Sequence, residues 1–268
     1  MAGVVPYIYV DIDDEDSLTE RFGRANGRKL IDIAVIRLPR ISNFTDFSPF
    51  ERYGNVSLRY VDDVSELHKP DMIILPGTKS TIADLVWLRE SGLEAAIKKA
   101  ADIGTLIFGV CGGYQMLGRR ISDPERVESA DFTEIQGMGL LDMDTVFRGE
   151  KVQSQARGVF GPISGMLAEL SGKAYEGYEI HMGRSEEKMP ALTGEGNVYG
   201  SYIHGIFDAP GISDTVLRAL CATKGVDFAA LETQDIREYK ERQYDLLADA
   251  LRGGLDMDFV YRVLNKEV

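Results

Sequence analysis

Three short, uninterrupted apolar runs limit how this chain can fold. "LIDIAVIRL" (30–38), "DMIILPG" (71–77) and "TLIFGV" (105–110) are rich in β-branched residues and are closed by glycine or proline. They lack the polar alternation of a strand with one wet face, so each predicts a strand covered on both sides. "NVSLRYV" (55–61) adds a fourth candidate. Between "DMIILPG" and "TLIFGV", "TKSTIADLVWLRESGLEAAIKKAAD" (78–102) carries Ile82, Leu85 and Val86, then Leu93, Ala96 and Ile97, at helical spacing with a break at Ser91–Gly92. That pattern predicts two helices. Strands alternating with helices imply an α/β fold, with a mostly parallel central sheet and helices on both faces.

Beyond residue 137 the strand candidates shorten to "GLLDMDTVF", "GYEIHMG" and "NVYGSYIHGIF", which either extend that sheet or form a second, mixed one. "GISDTVLRALCATKG", "DIREYKERQYDLLADALRGG" and "LDMDFVYRVL" return to helical spacing, with Tyr244, Leu247 and Leu251 on one face. Residues 1–28 are acidic and irregular, and the expected domain runs from 29 to 268.

With 268 residues, 44% of them hydrophobic, the chain can bury a sizeable core. Its net charge of -13 argues against nucleic acid or an anionic membrane as partner, since both call for a basic surface. No apolar run approaches the roughly 18 residues of a membrane span and the N-terminus lacks a secretory pattern, so a cytoplasmic protein is expected. Two cysteines, Cys111 and Cys221, are too few for a disulfide framework and are expected as free thiols.

The chemistry concentrates at "FGVCGGYQMLG" (108–118). A strand ending in Gly-x-Cys-Gly-Gly and turning at once into a helix has the form of a nucleophile elbow, in which small neighbours permit a strained turn that presents the side chain. The helix N-terminus favours the thiolate of Cys111, and the Gly112 N–H is available to an oxyanion. A small buried cysteine between packing glycines would give the same pattern, so the bases decide. The histidines are His68, His181 and His204. His68 lies in polar "SELHKPD" and is expected at the surface. His204 closes the apolar segment "VYGSYIH" and would project from a strand end with room beside it. His181 lies within a strand-like segment and is the weaker candidate.

"GVCGGYQMLG" followed about ninety positions later by "YGSYIHGIFD" resembles the class I glutamine amidotransferases, which have a flavodoxin-like fold and release ammonia from the side-chain amide of glutamine. More narrowly, "IAVIRLPRISNFTDFSPF", "LPGTKSTIADLVWLRESGL", "GYEIHMGR" and "QYDLLADALR" with "LDMD" resemble the C-terminal glutaminase half of the cobyric acid synthases of cobalamin biosynthesis, from about residue 3 onward. The resemblance implies Cys111 as nucleophile and His204 as base. It implies an oxyanion hole from Gly112 with Gly77 or Thr78 of "PGT", and a glutamine pocket near Gln115, Glu179 and His181. For these last three, ordinary helix or strand roles fit equally well.

The step implied needs no cofactor from this chain. ATP, Mg²⁺ and the corrinoid belong to a synthetase partner of P-loop type, for which residues 1–28 would be the connection; no G-x-x-x-x-G-K-[ST] loop occurs here. Ile206 stands where class I enzymes often have a glutamate two residues after the histidine, which leaves nothing adjacent to orient His204 except Asp208, expected toward solvent. A carboxylate or loop contact from the synthetase half is then the expected source. Cobyrinic acid a,c-diamide synthases and cell-wall lipid amidotransferases share the Cys/His pair, and a silent binding module on the same fold is a further alternative. "NFTDFSPF" and the C-terminal helix favour the cobyric acid synthase type.

Overall fold

A computed structural model of the chain describes residues 3–6, 29–185, 190–231 and 236–265. Most of the acidic lead expected at residues 1–28 lies outside the described residues. The chain divides into two compact units, Asp16–Glu232 and a smaller one of Met1–Glu15 with Thr233–Val268.

In the larger unit the strands are β1 (Ile31–Ile36), β2 (Ile41–Ser42), β3 (Val56–Val61), β4 (Met72–Leu75), β5 (Gly77–Thr78), β6 (Leu106–Val110), β7 (Arg120–Ser122), β8 (Glu134–Gln136), β9 (Asp144–Val159), β10 (Ala174–Arg184), β11 (Thr193–Glu195), β12 (Val198–Ser201) and β13 (Ile203–His204). The helices are α1 (Val64–Leu67), α2 (Thr81–Glu90), α3 (Leu93–Asp102), α4 (Gly112–Leu117) and α5 (Ile212–Lys224). The main sheet has the order β11-β12-β6-β4-β1-β3 and is parallel except at the β11 edge.

Alternate side chains of each strand enter different cores, which is why the apolar runs are continuous. Ile33, Val35, Ile74 and Phe108 face one core with α5, while Ala34, Ile36, Ile73 and Ile107 face the other with α2, α3 and α4. In the first core Phe207 packs its ring 4.9 Å from both Phe50 and Phe108 and 6.4 Å from Phe47. Tilted pairs of this kind contribute about 0.5–1.5 kcal/mol each beyond burial. They clamp the 3₁₀ turn Phe44–Arg52 against the one at Ile206–Asp208.

A second, mixed sheet has the order β13-β10-β9-β7-β8, so the shorter strands do both: β12 extends the first sheet, and the others form the second. Two expectations change in detail. Residues 139–143 lie outside β9, which begins at Asp144. "VYGSYIH" is two strands in different sheets: Ser201 Oγ donates to the Ala191 carbonyl at 2.6 Å and accepts from Ile203 N–H at 3.0 Å, turning the chain out of the main sheet. Its continuation, β13, pairs with Tyr178 and Glu179 of β10.

The smaller unit contains α6 (Ile236–Gly254) and α7 (Met257–Leu264). Val4 N–H donates to the Gly254 carbonyl at 3.0 Å, and the Asp256 carboxylate caps α7 by accepting from Phe259 N–H at 3.0 Å.

Candidate active site

Cys111 stands between β6 and α4 with φ 50° and ψ −107°, a left-handed conformation that a side chain adopts only where its surroundings impose it. The imposition comes from tight packing of α4 on the sheet. A Cβ at Gly113 would lie 2.0 Å from the Leu75 carbonyl oxygen, and one at Gly109 2.6 Å from the Tyr114 Cα. Cys111 N–H donates to the Ser201 carbonyl at 2.8 Å, which ties the elbow to the end of β12. The thiol donates to the Ile180 carbonyl of β10 at 3.6 Å.

That tie also delivers the histidine, because His204 follows Ser201 by three residues after the change of sheet. His204 is 1% exposed. Its Nδ1 donates to Asp46 Oδ2 at 2.7 Å, the other Asp46 oxygen accepts from Gly205 N–H at 3.1 Å, and Tyr178 stacks on the ring at 5.3 Å. With Nδ1 so engaged, Nε2 is the nitrogen left for Cys111. Burial opposes charging the ring, but hydrogen bonds and negative charge from Asp46 and Cys111 outweigh it and push His204 up to about 10. The imidazolium is therefore the favoured form beside this cysteine at neutral pH.

Gly77 and Gly112 border the same space. A Cβ at Gly77 would lie 3.0 Å from His204 Cε1, and one at Gly112 would lie 3.3 Å from Thr78 N and 2.7 Å from Thr78 Cγ2. β5 is held in place by β2 through the pairs Ile41–Thr78 and Ser42–Gly77, and by Thr78 Oγ1 to Asp84 Oδ2 at 2.5 Å. These contacts set the Gly77–Thr78 backbone beside both His204 and Gly112.

Gln115, one turn into α4, is 2% exposed. Its Oε1 accepts from Thr81 Oγ1 at 3.1 Å and its Nε2 donates to Tyr202 OH at 3.4 Å. His181 stacks on Tyr202 at 4.0 Å, with Nδ1 2.7 Å from the Gly183 carbonyl and Nε2 3.4 Å from the half-buried Glu179. Glu179 and His181 flank Ile180, whose carbonyl meets the thiol. His68 is exposed, and Cys221 is buried in α5 with its thiol pushed up by burial.

Residues 32–212 match the CobB/CobQ-like glutamine amidotransferase domain. The chain belongs to this family of glutamine amidotransferases. A cobyric acid synthase of Lachnoclostridium phytofermentans is 52% identical over 99% of this chain and 56% of that protein. Another, of Ruminiclostridium cellulolyticum, is 48% identical over 100% of this chain and 55% of its own length. The chain spans about half the length of the curated relatives it matches. A solved structure, PurLQS from Thermotoga maritima, has a TM-score of 0.50 at 20% identity over 71% of this chain and 99% of its own, a likeness of fold.

Two readings of this amidotransferase's sequence are corrected by its geometry. The space expected beside His204 is filled by Asp46 and Tyr178, and the orienting carboxylate comes from within the chain. Asp46 is 158 residues from His204, so no local motif links them. A signal did exist in "NFTDFSPF": Phe44, Phe47 and Phe50 recur at a three-residue spacing, and an acid between them shares their burial and requires a partner. Ile206, at the position where a glutamate was looked for, is core, and Asp208 is exposed.

Proposed function

We propose that this amidotransferase domain hydrolyses glutamine through Cys111, His204 and Asp46, and supplies ammonia to the synthetase half of a cobyric acid synthase. The observation that carries the reading is His204 clamped by Asp46 beside a cysteine in a strained strand-to-helix elbow. Cys111 Sγ attacks the side-chain amide carbon of glutamine while its proton resides on His204 Nε2. The carbonyl oxygen becomes an oxyanion facing the Gly112 N–H and the Gly77–Thr78 backbone. His204 then gives its proton to the amide nitrogen, the C–N bond breaks, ammonia leaves and a thioester remains on Cys111. Water attacks that thioester as His204 takes its proton. Sulfur departs and glutamate is released.

Side chains and backbone of this chain carry these steps, and Gln115, Glu179 and His181 border the glutamine. ATP and Mg²⁺ belong to the synthetase half, a P-loop type domain that activates carboxylates of adenosylcobyrinic acid a,c-diamide for amidation at the b, d, e and g side chains. The high identity to cobyric acid synthases over nearly the whole chain supports this acceptor over the a,c-diamide synthase and cell-wall alternatives. A cytoplasmic location fits this chemistry; no helix among the described residues is long and apolar enough to cross a membrane. The test supplies the chain with glutamine, a synthetase half, ATP, Mg²⁺ and the corrinoid, and follows glutamate release and corrin amidation by mass spectrometry. Glutamate formation without corrin amidation would leave a glutaminase with a different acceptor.

A further inference from the structure

Tyr178 takes no proton in the steps above, yet it meets the face of the imidazole that does. In the β10–β13 ladder Tyr178 stands directly opposite His204, and directly opposed residues project on the same side of a sheet. Their rings stack at 5.3 Å with 24° between the planes. Gly177 permits the close approach of the two strands, because a Cβ there would lie 2.2 Å from the His204 carbonyl oxygen. The far end of the tyrosine is anchored too: Asn43 Nδ2 donates to its hydroxyl at 2.6 Å. Asn43 is left-handed, with φ 53° and ψ 38°, and its carbonyl accepts from Asp46 N–H at 3.0 Å. The contacts form a closed circuit, in which Asn43 holds Tyr178 and Asp46, and those two hold His204 at its face and at Nδ1.

The two holds restrict different motions. The Asp46 bond fixes Nδ1 but leaves the ring free to swing about that atom, which would carry Nε2 off the line to Cys111. A second ring laid against its face removes that swing. Two residues on, the Ile180 carbonyl meets the thiol, so one strand sets both members of the pair. Packing alone would be served by any apolar β-former, with no hydroxyl to satisfy. Burial, then the charge of Asp46, pushes the Tyr178 hydroxyl up, so it has no proton to trade at neutral pH and acts through its ring. An aromatic face also favours a cation stacked on it, which suits the imidazolium form of His204.

Resting on the glutaminase reading, we propose that Tyr178 is a positioning residue: anchored by Asn43, it fixes the plane of the His204 ring so that Nε2 stays on Cys111 while the proton moves. Its contribution falls on kcat and leaves the affinity for glutamine alone.

The test measures glutamate release by the 268-residue chain over a pH series and follows the Cε1–H resonances of its three histidines by NMR, with His204 assigned from His204→Asn. Tyr178→Leu should lower kcat by about three- to thirtyfold with KM within about twofold. Its His204 resonance should titrate at a pH lower by about half a unit to one unit. The other charged groups acting on the ring, Asp46 and Cys111, and Asp208, which acts on Tyr178, are present in every variant. Tyr178→Phe keeps the ring and should keep the wild-type titration, losing about two- to fivefold in kcat with the Asn43 bond. Asn43→Gly, which keeps the left-handed turn and the carbonyl that holds Asp46, should lose a similar amount. A folded Tyr178→Leu with wild-type kcat, with an unmoved His204 resonance, or with its loss confined to KM would overturn the assignment. If circular dichroism shows Tyr178→Leu unfolded, Asn43→Gly decides, and wild-type kcat in it would overturn the assignment as well. A wild type that neither turns over glutamine nor is labelled at Cys111 by a glutamine-like diazo-ketone sinks the glutaminase reading and this inference with it, whereas an active wild type matched by Tyr178→Leu sinks this inference alone.

Discussion

Asp46→Asn tests the organisation of the site through one atom. The Asp46 carboxylate accepts from Gly205 N–H with one oxygen and from His204 Nδ1 with the other. An asparagine that keeps its oxygen on Gly205 must turn its NH₂ toward Nδ1, which drives the imidazole proton to Nε2, where the proton of Cys111 has to be received. The cost follows from the position of His204: a rise from 6.5 to about 10 corresponds to about 5 kcal/mol favouring the imidazolium. Asp46 and Cys111 both contribute to that rise, so removing the Asp46 carboxylate should forfeit part of it, a loss on the order of a hundredfold. Full inversion of the tautomer in serine triads costs about ten thousandfold, which marks the far limit. The assay is glutamate release under saturating glutamine, paired with the pH dependence of unfolding. A folded-state value raised above the unfolded one gives stability fully present below pH 6.5 and lost as pH rises through about 10. The wild type should lose that increment between neutral pH and pH 10, and Asp46→Asn should lose a smaller one. Turnover in Asp46→Asn within threefold of wild type would refute the reasoning.

A glutamine-like diazo-ketone should label Cys111 and spare Cys221, as peptide mapping would show, because Cys221 is 1% exposed and its thiol is pushed up by burial. His204→Asn should abolish most turnover, whereas His181→Asn should change KM more than kcat; the reverse pattern would exchange the two histidines' roles. Glu128→Gln should be more stable than wild type at pH 8, by at most about 3 kcal/mol in urea unfolding. The sign follows from a carboxyl held at about 7 against 4.5 unfolded: it favours the folded state at low pH and loses that contribution as pH rises from 4.5 through 7, so the difference should vanish by pH 4. Gly113→Ala should fail to accumulate as folded protein, since its Cβ would sit 2.0 Å from the Leu75 carbonyl oxygen.

The parallel strands were legible because burial on both faces writes an unbroken apolar run, and the elbow because its glycines are spaced by the packing of α4 on β4 and β6. The mixed sheet was harder to read. β9 has exposed residues along much of its length, so little hydrophobic pattern marks it, and the break inside "VYGSYIH" depends on Ser201 Oγ bonding to Ala191 ten residues earlier. Asp46 was hidden for a related reason: its meaning lies in a contact that only the aromatic clamp around Phe207 creates. Local spacing records the elements, whereas partners brought together by tertiary packing leave at most a compositional oddity, such as an acid among phenylalanines.

Because the chain changes sheets between Ser201 and His204, the thiol and the imidazole rest on separate foundations. Cys111 is anchored in the parallel sheet; His204 stands on a strand of the mixed sheet, against the same β10 that places Ile180 on the thiol and Tyr178 on the ring. A small slip of one sheet against the other would misalign the pair while both cores stayed dry and intact. Competence is thus a property of the seam, and dilute denaturant or a mutation along it should silence the enzyme well before either layer melts.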